Sequence, residues 1–298
     1  MKPTLIVALA LAAQCALAAE KKSTPSPSAE SLPAVNVTST ANAADPRLLR
    51  EELPTDESGR PEWTNARRFT TTRVYIQKAP WEVGVEQWWR YRYKRDNSSI
   101  SRLTSEIEIG LPHRMQLDLY YDMKVDGDSR AGTEDFAAEL RYALADWGKL
   151  WMNPTVYAEY KWVNDDADVF EAKLLLGDQL PGGWHYGINF VLEKQLGGDR
   201  ETEWQIVAGL SKTLLDGRLG VGIEAKYVNL TGPDFRTDPE HTFLVGPSIQ
   251  WRITDRIHLD TTALFGLNQE SPRNECYIII GYDFGPGEKK FKPISGRH

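Results

Sequence analysis

The chain has 298 residues, enough for one large domain or two small ones, and a formal net charge of −7, which gives no support to nucleic-acid binding. Two cysteines are too few for a disulfide framework. Past the first residues, no stretch is long and apolar enough to cross a bilayer as a helix, a test that alternating strands escape.

Lys2 gives a charged start, residues 5–13 form a short apolar run, and Ala16-Leu17-Ala18 is a small-x-small cleavage site. Residues 1–18 therefore read as a secretory signal. Gln14 before Cys15 does not fit a lipobox, so Cys15 leaves with the signal and Cys276 remains as a small apolar strand residue. Residues 19–80 are rich in Pro, Ser, Thr, Ala and charge. They are expected to be a mostly disordered, flexible periplasmic segment. Within it, Asp45-Pro46 can start a helical turn. Residues 34–39 loosely resemble a TonB box, but the chain is too short for a plug inside a barrel of about 22 strands, and a linker is the expected reading. Residues 68–78 alternate weakly, as an extra strand or a piece packed at a barrel mouth would.

From 81 to 284 the chain alternates apolar and polar residues in about twelve stretches separated by turn residues. An even count of amphipathic strands is expected to close into an antiparallel transmembrane β-barrel, an all-β fold with lipid outside and water inside. Apolar side chains such as Val85, Leu103, Leu119, Leu140, Ile206, Ile223 and Ile249 then face out. The inward face begins with Arg90 and Arg92, then Arg102, Glu106 and Glu108, then Asp118 and Asp122. It continues through Glu139 and Arg141, Glu159 and Lys161, Glu171 and Lys173, Glu224 and Lys226, and Arg252, and ends with His258 and Asp260. Short connections at 112–114, 214–217 and 254–256 read as periplasmic turns, and longer ones at 126–134, 197–203 and 229–241 as extracellular loops. The connection 146–154 is periplasmic by parity yet long, with Trp147 and Trp151 available for the interface. Trp81, Trp184 and Trp251 at one end and Tyr93, Trp162 and Trp204 at the other would form two aromatic girdles. The last strand ends on Tyr282 and Phe284, similar to the C-terminal signal read by the barrel-assembly machinery. Residues 285–298 follow as a basic periplasmic tail.

The inner face repeats Glu-x-Lys/Arg, and a spacing of two puts both charges on one face of a strand. Antiparallel neighbours invert the order, so Glu159 can sit beside Arg141 and Glu171 beside Lys161. These ion pairs either stiffen a filled lumen or line an aqueous path and set its selectivity. Twelve strands lie between the filled and the open barrels, and a slight acidic excess favours cations. His258 and Asp260 share a face, as a base and its orienter would, but no nucleophile accompanies them. A hydrogen bond in the wall is the expected role. His241 lies in a loop with Asp234, Asp238 and Glu240, read as a solvated acidic loop. Asn164-Asp165-Asp166 and Asp126-Gly127-Asp128 lack calcium-loop spacing. No cofactor, metal or catalytic residue is assigned.

The segment Phe243-Leu244-Val245-Gly246-Pro247-Ser248-Ile249-Gln250-Trp251, the opening Pro80-Trp81-Glu82 and the closing Gly281-Tyr282-Asp283-Phe284 resemble outer-membrane barrels of the MetA-pathway phenol-degradation type. The resemblance covers roughly 81–284 and implies a channel-like role for small, aromatic or hydrophobic solutes, with no functional residue to carry over. The expected partners are outer-membrane lipid, the assembly machinery and a small solute. The expected function is passive passage of that solute. The alternatives are a plugged barrel acting through its extracellular loops and, third, a barrel hydrolase.

Overall fold

The computed structural model describes residues 50–65, 67–126, 133–164 and 166–284. The expected signal peptide, the start of the N-terminal segment with its TonB-box-like stretch and Asp45-Pro46 turn, and the basic tail lie outside the described residues. So do Asp165 and most of the 126–134 loop.

Twelve strands form: β1 (Val83–Tyr93), β2 (Ser99–Leu111), β3 (Met115–Asp126), β4 (Thr133–Ala143), β5 (Thr155–Trp162), β6 (Val169–Leu180), β7 (Trp184–Gln195), β8 (Thr202–Leu214), β9 (Leu219–Thr231), β10 (Glu240–Arg252), β11 (Ile257–Gly266) and β12 (Asn274–Phe284). Each pairs antiparallel with its chain neighbours, and β1 pairs with β12, Val83 opposite Phe284, to close the barrel. Closure leaves no sheet edge, so every strand finds backbone partners on both sides. The alternation in sequence becomes the two faces. Leu103, Leu140, Ile206, Ile223 and Ile249 are exposed on the outside, while their neighbours in sequence point into the lumen.

Short connections follow the even strands except β4, whose connection runs over 144–154. At 112–114, His113 and Arg114 both have φ 61°, the left-handed geometry that a tight hairpin needs. Gly182 and Gly183 supply it between β6 and β7. By the rule that short turns face the periplasm, this end is taken as the periplasmic one. Two loops differ from expectation. The β9–β10 loop shrinks to 232–239 because the ladder continues from Thr231 and to Glu240. The β1–β2 connection is only 94–98, shorter than an outer loop was expected to be.

Trp81, Trp162, Trp184, Trp204 and Trp251 are all exposed at strand ends, as girdle residues would be. Trp151 is 83 % exposed in the 144–154 connection. Trp147 instead turns inward and meets Trp63 and Tyr75 edge-on, at 5.5 and 5.3 Å between ring centres. Trp63 and Tyr75 belong to the N-terminal segment, and both are buried. The described residues of 50–80, expected to be flexible, pack inside the barrel, and 68–78, expected as an extra strand or a piece at its mouth, form no strand.

Candidate functional site

The segment begins with a helical turn, Arg50–Glu52, and a bridge between Pro54 and Pro61. A single helical turn, Glu62–Asn65, follows, and 67–78 then runs irregularly through the periplasmic half of the lumen. Its backbone cannot pair as a strand there, so the wall's side chains take over. The Glu224 carboxylate on β9 accepts the amides of Thr70, Thr71 and Thr72 at 2.7, 2.7 and 3.2 Å. Asn189 on β7 binds both sides of Arg73, accepting its N–H and donating to its carbonyl, each at 2.7 Å. Gln116 on β3 accepts the amides of Gln77 and Lys78 at 2.8 and 3.1 Å.

The wall also makes room. Inward glycines on five strands sit under the segment. An added Cβ would strike Lys78 at Gly84, the Ala79 carbonyl at Gly110, Val74 at Gly177 and Gly187, and Phe69 at Gly209. A glycine inside a strand commonly marks such a close approach.

Charge locks the segment in place. Arg67 bridges Glu86 and Glu108 at 2.6 and 3.1 Å, and Lys78 reaches Asp283 at 2.5 Å and Glu108 at 3.0 Å. Burial pulls both cations' pKa values down, but the adjacent carboxylates more than reverse this, so both stay charged. Arg68 pairs with Glu51 and donates to Thr213 at 3.0 Å. Before the helical turn, Asp56 holds Arg60 at 2.7 Å. Partial burial raises the Asp56 pKa, and Arg60 and Ser58 outweigh this to leave it below the ordinary value.

Above the segment the lumen opens. A cavity of about 220 Å³ has Thr71, Arg73 and Asn189 at its floor. It continues into a vestibule of about 450 Å³ at the extracellular end, with Arg90, Arg102, Lys161, Gln205 and Lys226 lining both. Aromatic rings stand among the charges. Arg73 lies over Trp88 at 4.7 Å, Arg90 over Tyr277 at 5.6 Å, and Lys173 over Tyr157 at 4.2 Å.

All of the sequence-predicted inward residues face the lumen, but they divide between two environments. Glu106, Glu108, Asp118, Glu224, Arg252, His258 and Asp260 are buried in the periplasmic half. Arg90, Arg102, Asp122, Glu159, Lys161, Glu171, Lys173 and Lys226 line the inner cavity, and Arg92 lines the vestibule. Glu139 and Arg141 stand at the boundary.

Register overturns the expected chequerboard. Glu159 lies opposite Glu139 and Glu171, not beside Arg141, and Glu171 lies opposite Glu193 rather than beside Lys161. The row extends to seven carboxylates on seven strands: Glu108, Asp118, Glu139, Glu159, Glu171, Glu193 and Glu203. Because barrel strands tilt, this row climbs from near the periplasmic end of β2 to the extracellular end of β8. Like charges placed opposite repel, and the wall offsets this diagonally. Arg141 bridges Asp118 and Glu139 at 3.2 and 2.7 Å, Lys173 holds Glu171 at 2.6 Å, and the Tyr120 and Tyr157 hydroxyls donate to Glu139 and Glu159.

Cations gather nearer the opposite ends of β1, β2 and β5. Arg90, Arg92 and Lys226 share Glu275 at 3.1, 2.7 and 3.6 Å, and Arg102 and Lys161 share Asp122 at 3.6 and 2.9 Å. Five cations thus meet two carboxylates, with Arg102, Asp122 and Lys161 on strands that also carry the acidic row. His258 Nδ1 is 2.8 Å from Asp260, and its Nε2 is 3.4 Å from Glu86. Both ring nitrogens face carboxylates, so neither is turned toward a substrate.

No curated protein matches the chain in sequence. Residues 154–274 match the family described as "Putative MetA-pathway of phenol degradation". The fold is similar to that of an outer-membrane channel from Pseudomonas putida F1, with a TM-score of 0.51 and 10% identity, covering 71% of this chain and 98% of that one. NanC porin gives a TM-score of 0.48 and 13% identity, and KdgM porin 0.48 and 7%, each over 68% of this chain and 99% of the other. The chain is a closed β-barrel with the fold of an outer-membrane channel, and it resembles the phenol-degradation family, which it matches from the end of the β4–β5 connection to the first residue of β12.

Proposed function

We propose that the protein is an outer-membrane channel for a small solute, closed in this conformation by its own residues 67–78. The observation that carries this reading is the cavity: a charged and aromatic chamber whose floor is a segment of the chain rather than the barrel wall. A filled structural barrel has no need of such a chamber. Arginine and lysine interleaved with a row of carboxylates favour dipolar or charged solutes, and Trp88, Tyr120, Tyr157 and Tyr277 offer faces to planar ones. The phenol-degradation family name supports an aromatic cargo. A hydrolase is disfavoured because both nitrogens of His258 are engaged by carboxylates.

The test is solute flux into liposomes carrying refolded protein, using aromatic acids and neutral sugars of similar size. A form lacking residues 50–80 should admit them, with rates for the acids falling on Arg90→Glu. A folded, truncated barrel that admits nothing would instead support the second reading, a sealed barrel acting through its outer loops. The hydrogen bonding between wall and segment is what favours that reading.

A further inference from the structure

Where the lumenal segment meets β1 and β2, three buried carboxylates converge. Glu86, Glu106 and Glu108 each bring an oxygen within 4.8 Å of the others. Arg67 Nη2 takes one oxygen of Glu86 and one of Glu108. Lys78 Nζ lies 3.0 Å from the second oxygen of Glu108, and His258 Nε2 lies 3.4 Å from that of Glu86.

Glu106 differs from both. It is 1 % exposed, and neither of its oxygens has a hydrogen-bond partner among the described residues. An acidic cluster by itself needs no ion when water can reach it. A carboxylate sealed in the wall with both oxygens bare is strongly unfavourable unless something positive joins it. The neighbouring charges do not supply this. Glu86, Glu106, Glu108, Asp260 and Asp283 are reached by Arg67, Lys78 and Arg252, with the His258 imidazole between Glu86 and Asp260. Among the described residues, Glu106 is the one of these five carboxylates with no arginine, lysine or histidine nitrogen within 4.0 Å.

The spacing suggests what fits. Calcium binds carboxylate oxygens at about 2.3–2.6 Å, so oxygens on opposite sides of the ion stand about 4.6–5.2 Å apart. The geometry points to a buried site for a divalent cation of the calcium class, held by Glu106 with Glu86 and Glu108 where the lumenal segment docks on the barrel wall. The ion would link β1 to β2 beside Arg67, where the segment docks, whether or not the barrel conducts.

Trp88 provides the readout, because its Nε1 donates to Glu86 at 2.9 Å. Terbium added to the refolded full-length protein should give saturable tryptophan-sensitised emission that calcium displaces. Calcium should also raise the melting temperature over that in chelator. Glu106→Gln should abolish both effects, while Trp88→Phe should dim the emission and keep the calcium-dependent stabilisation. Glu106→Gln keeps the side chain's shape and removes an unbalanced charge, so it is not expected to prevent folding. Two results would overturn the site. One is no calcium effect in wild type with Glu106→Gln the more stable protein, which would make Glu106 a protonated acid. The other is emission that survives Glu106→Gln, which would put the ion on the exposed acidic loops.

Discussion

In the periplasmic half of the lumen, the wall's polar side chains bind the backbone and cations of the chain's own segment. In the extracellular half, the same residue types face a cavity. The difference lies in what the wall leaves room for. Glycines at 84, 110, 177, 187 and 209 hollow the lower wall, and residues 69–79 fill the hollow. Higher up, inward positions carry Arg90, Arg102, Tyr120, Tyr157 and Tyr277, which reach into the lumen but leave a space between them. One half thus reads as a seat and the other as a vestibule.

Removing the strongest lock should break this contrast first. Arg67→Met leaves Glu86 and Glu108 buried without their shared cation, at a cost of about 3–5 kcal/mol to the seated segment. Trypsin should then cleave at Arg68 and Arg73, sites that are buried in the native protein. Cleavage no faster than in wild type would mean that the seat does not depend on charge. Glu224→Ala should come next, at roughly 2–4 kcal/mol, because it strands the amides of Thr70, Thr71 and Thr72. Amide hydrogen exchange at those residues is the direct check.

Filling a hollow sharpens the comparison. Gly209→Val should destabilise the full-length protein by about 1–3 kcal/mol through its collision with Phe69. In a form lacking 50–80 it should be nearly neutral, and thermal melts of the four proteins give the coupling. The smallest effect is at the clip before the helical turn. Asp56 has a lowered pKa in the fold, so its contribution is present above its unfolded pKa of about 3.9 and lost as pH falls through the lower folded value. Asp56→Asn should remove this acid-sensitive step from the proteolysis of 50–65 and leave the barrel melt unchanged.

The barrel was legible because its signal repeats. Alternation fixes which side chains face in, strand by strand, and Glu139 and Lys161 both line the lumenal cavity. Register was not legible. It follows from how far each strand slides past its neighbour, and a two-residue slide exchanges a Glu-over-Arg neighbour for a Glu-over-Glu one, as at Glu159. Residues 68–78 read as an extra strand or a piece packed at the barrel mouth, and their course inside the lumen was not legible because their order comes from partners far along the chain. Thr70 through Lys78 have no period of their own, and their bonds run to Glu224, Asn189 and Gln116. Two signals were available: inward glycines in otherwise regular strands, and the adjacent Arg67-Arg68 pair just ahead of a barrel with acidic inner positions.

The most direct test of the account is single-channel conductance in a planar bilayer, comparing the refolded full-length protein with a form lacking residues 50–80. The full-length barrel should be closed or open only briefly, and the truncated one should conduct steadily. Equal steady conductance in both, or none in a truncated barrel shown to be folded, would contradict it.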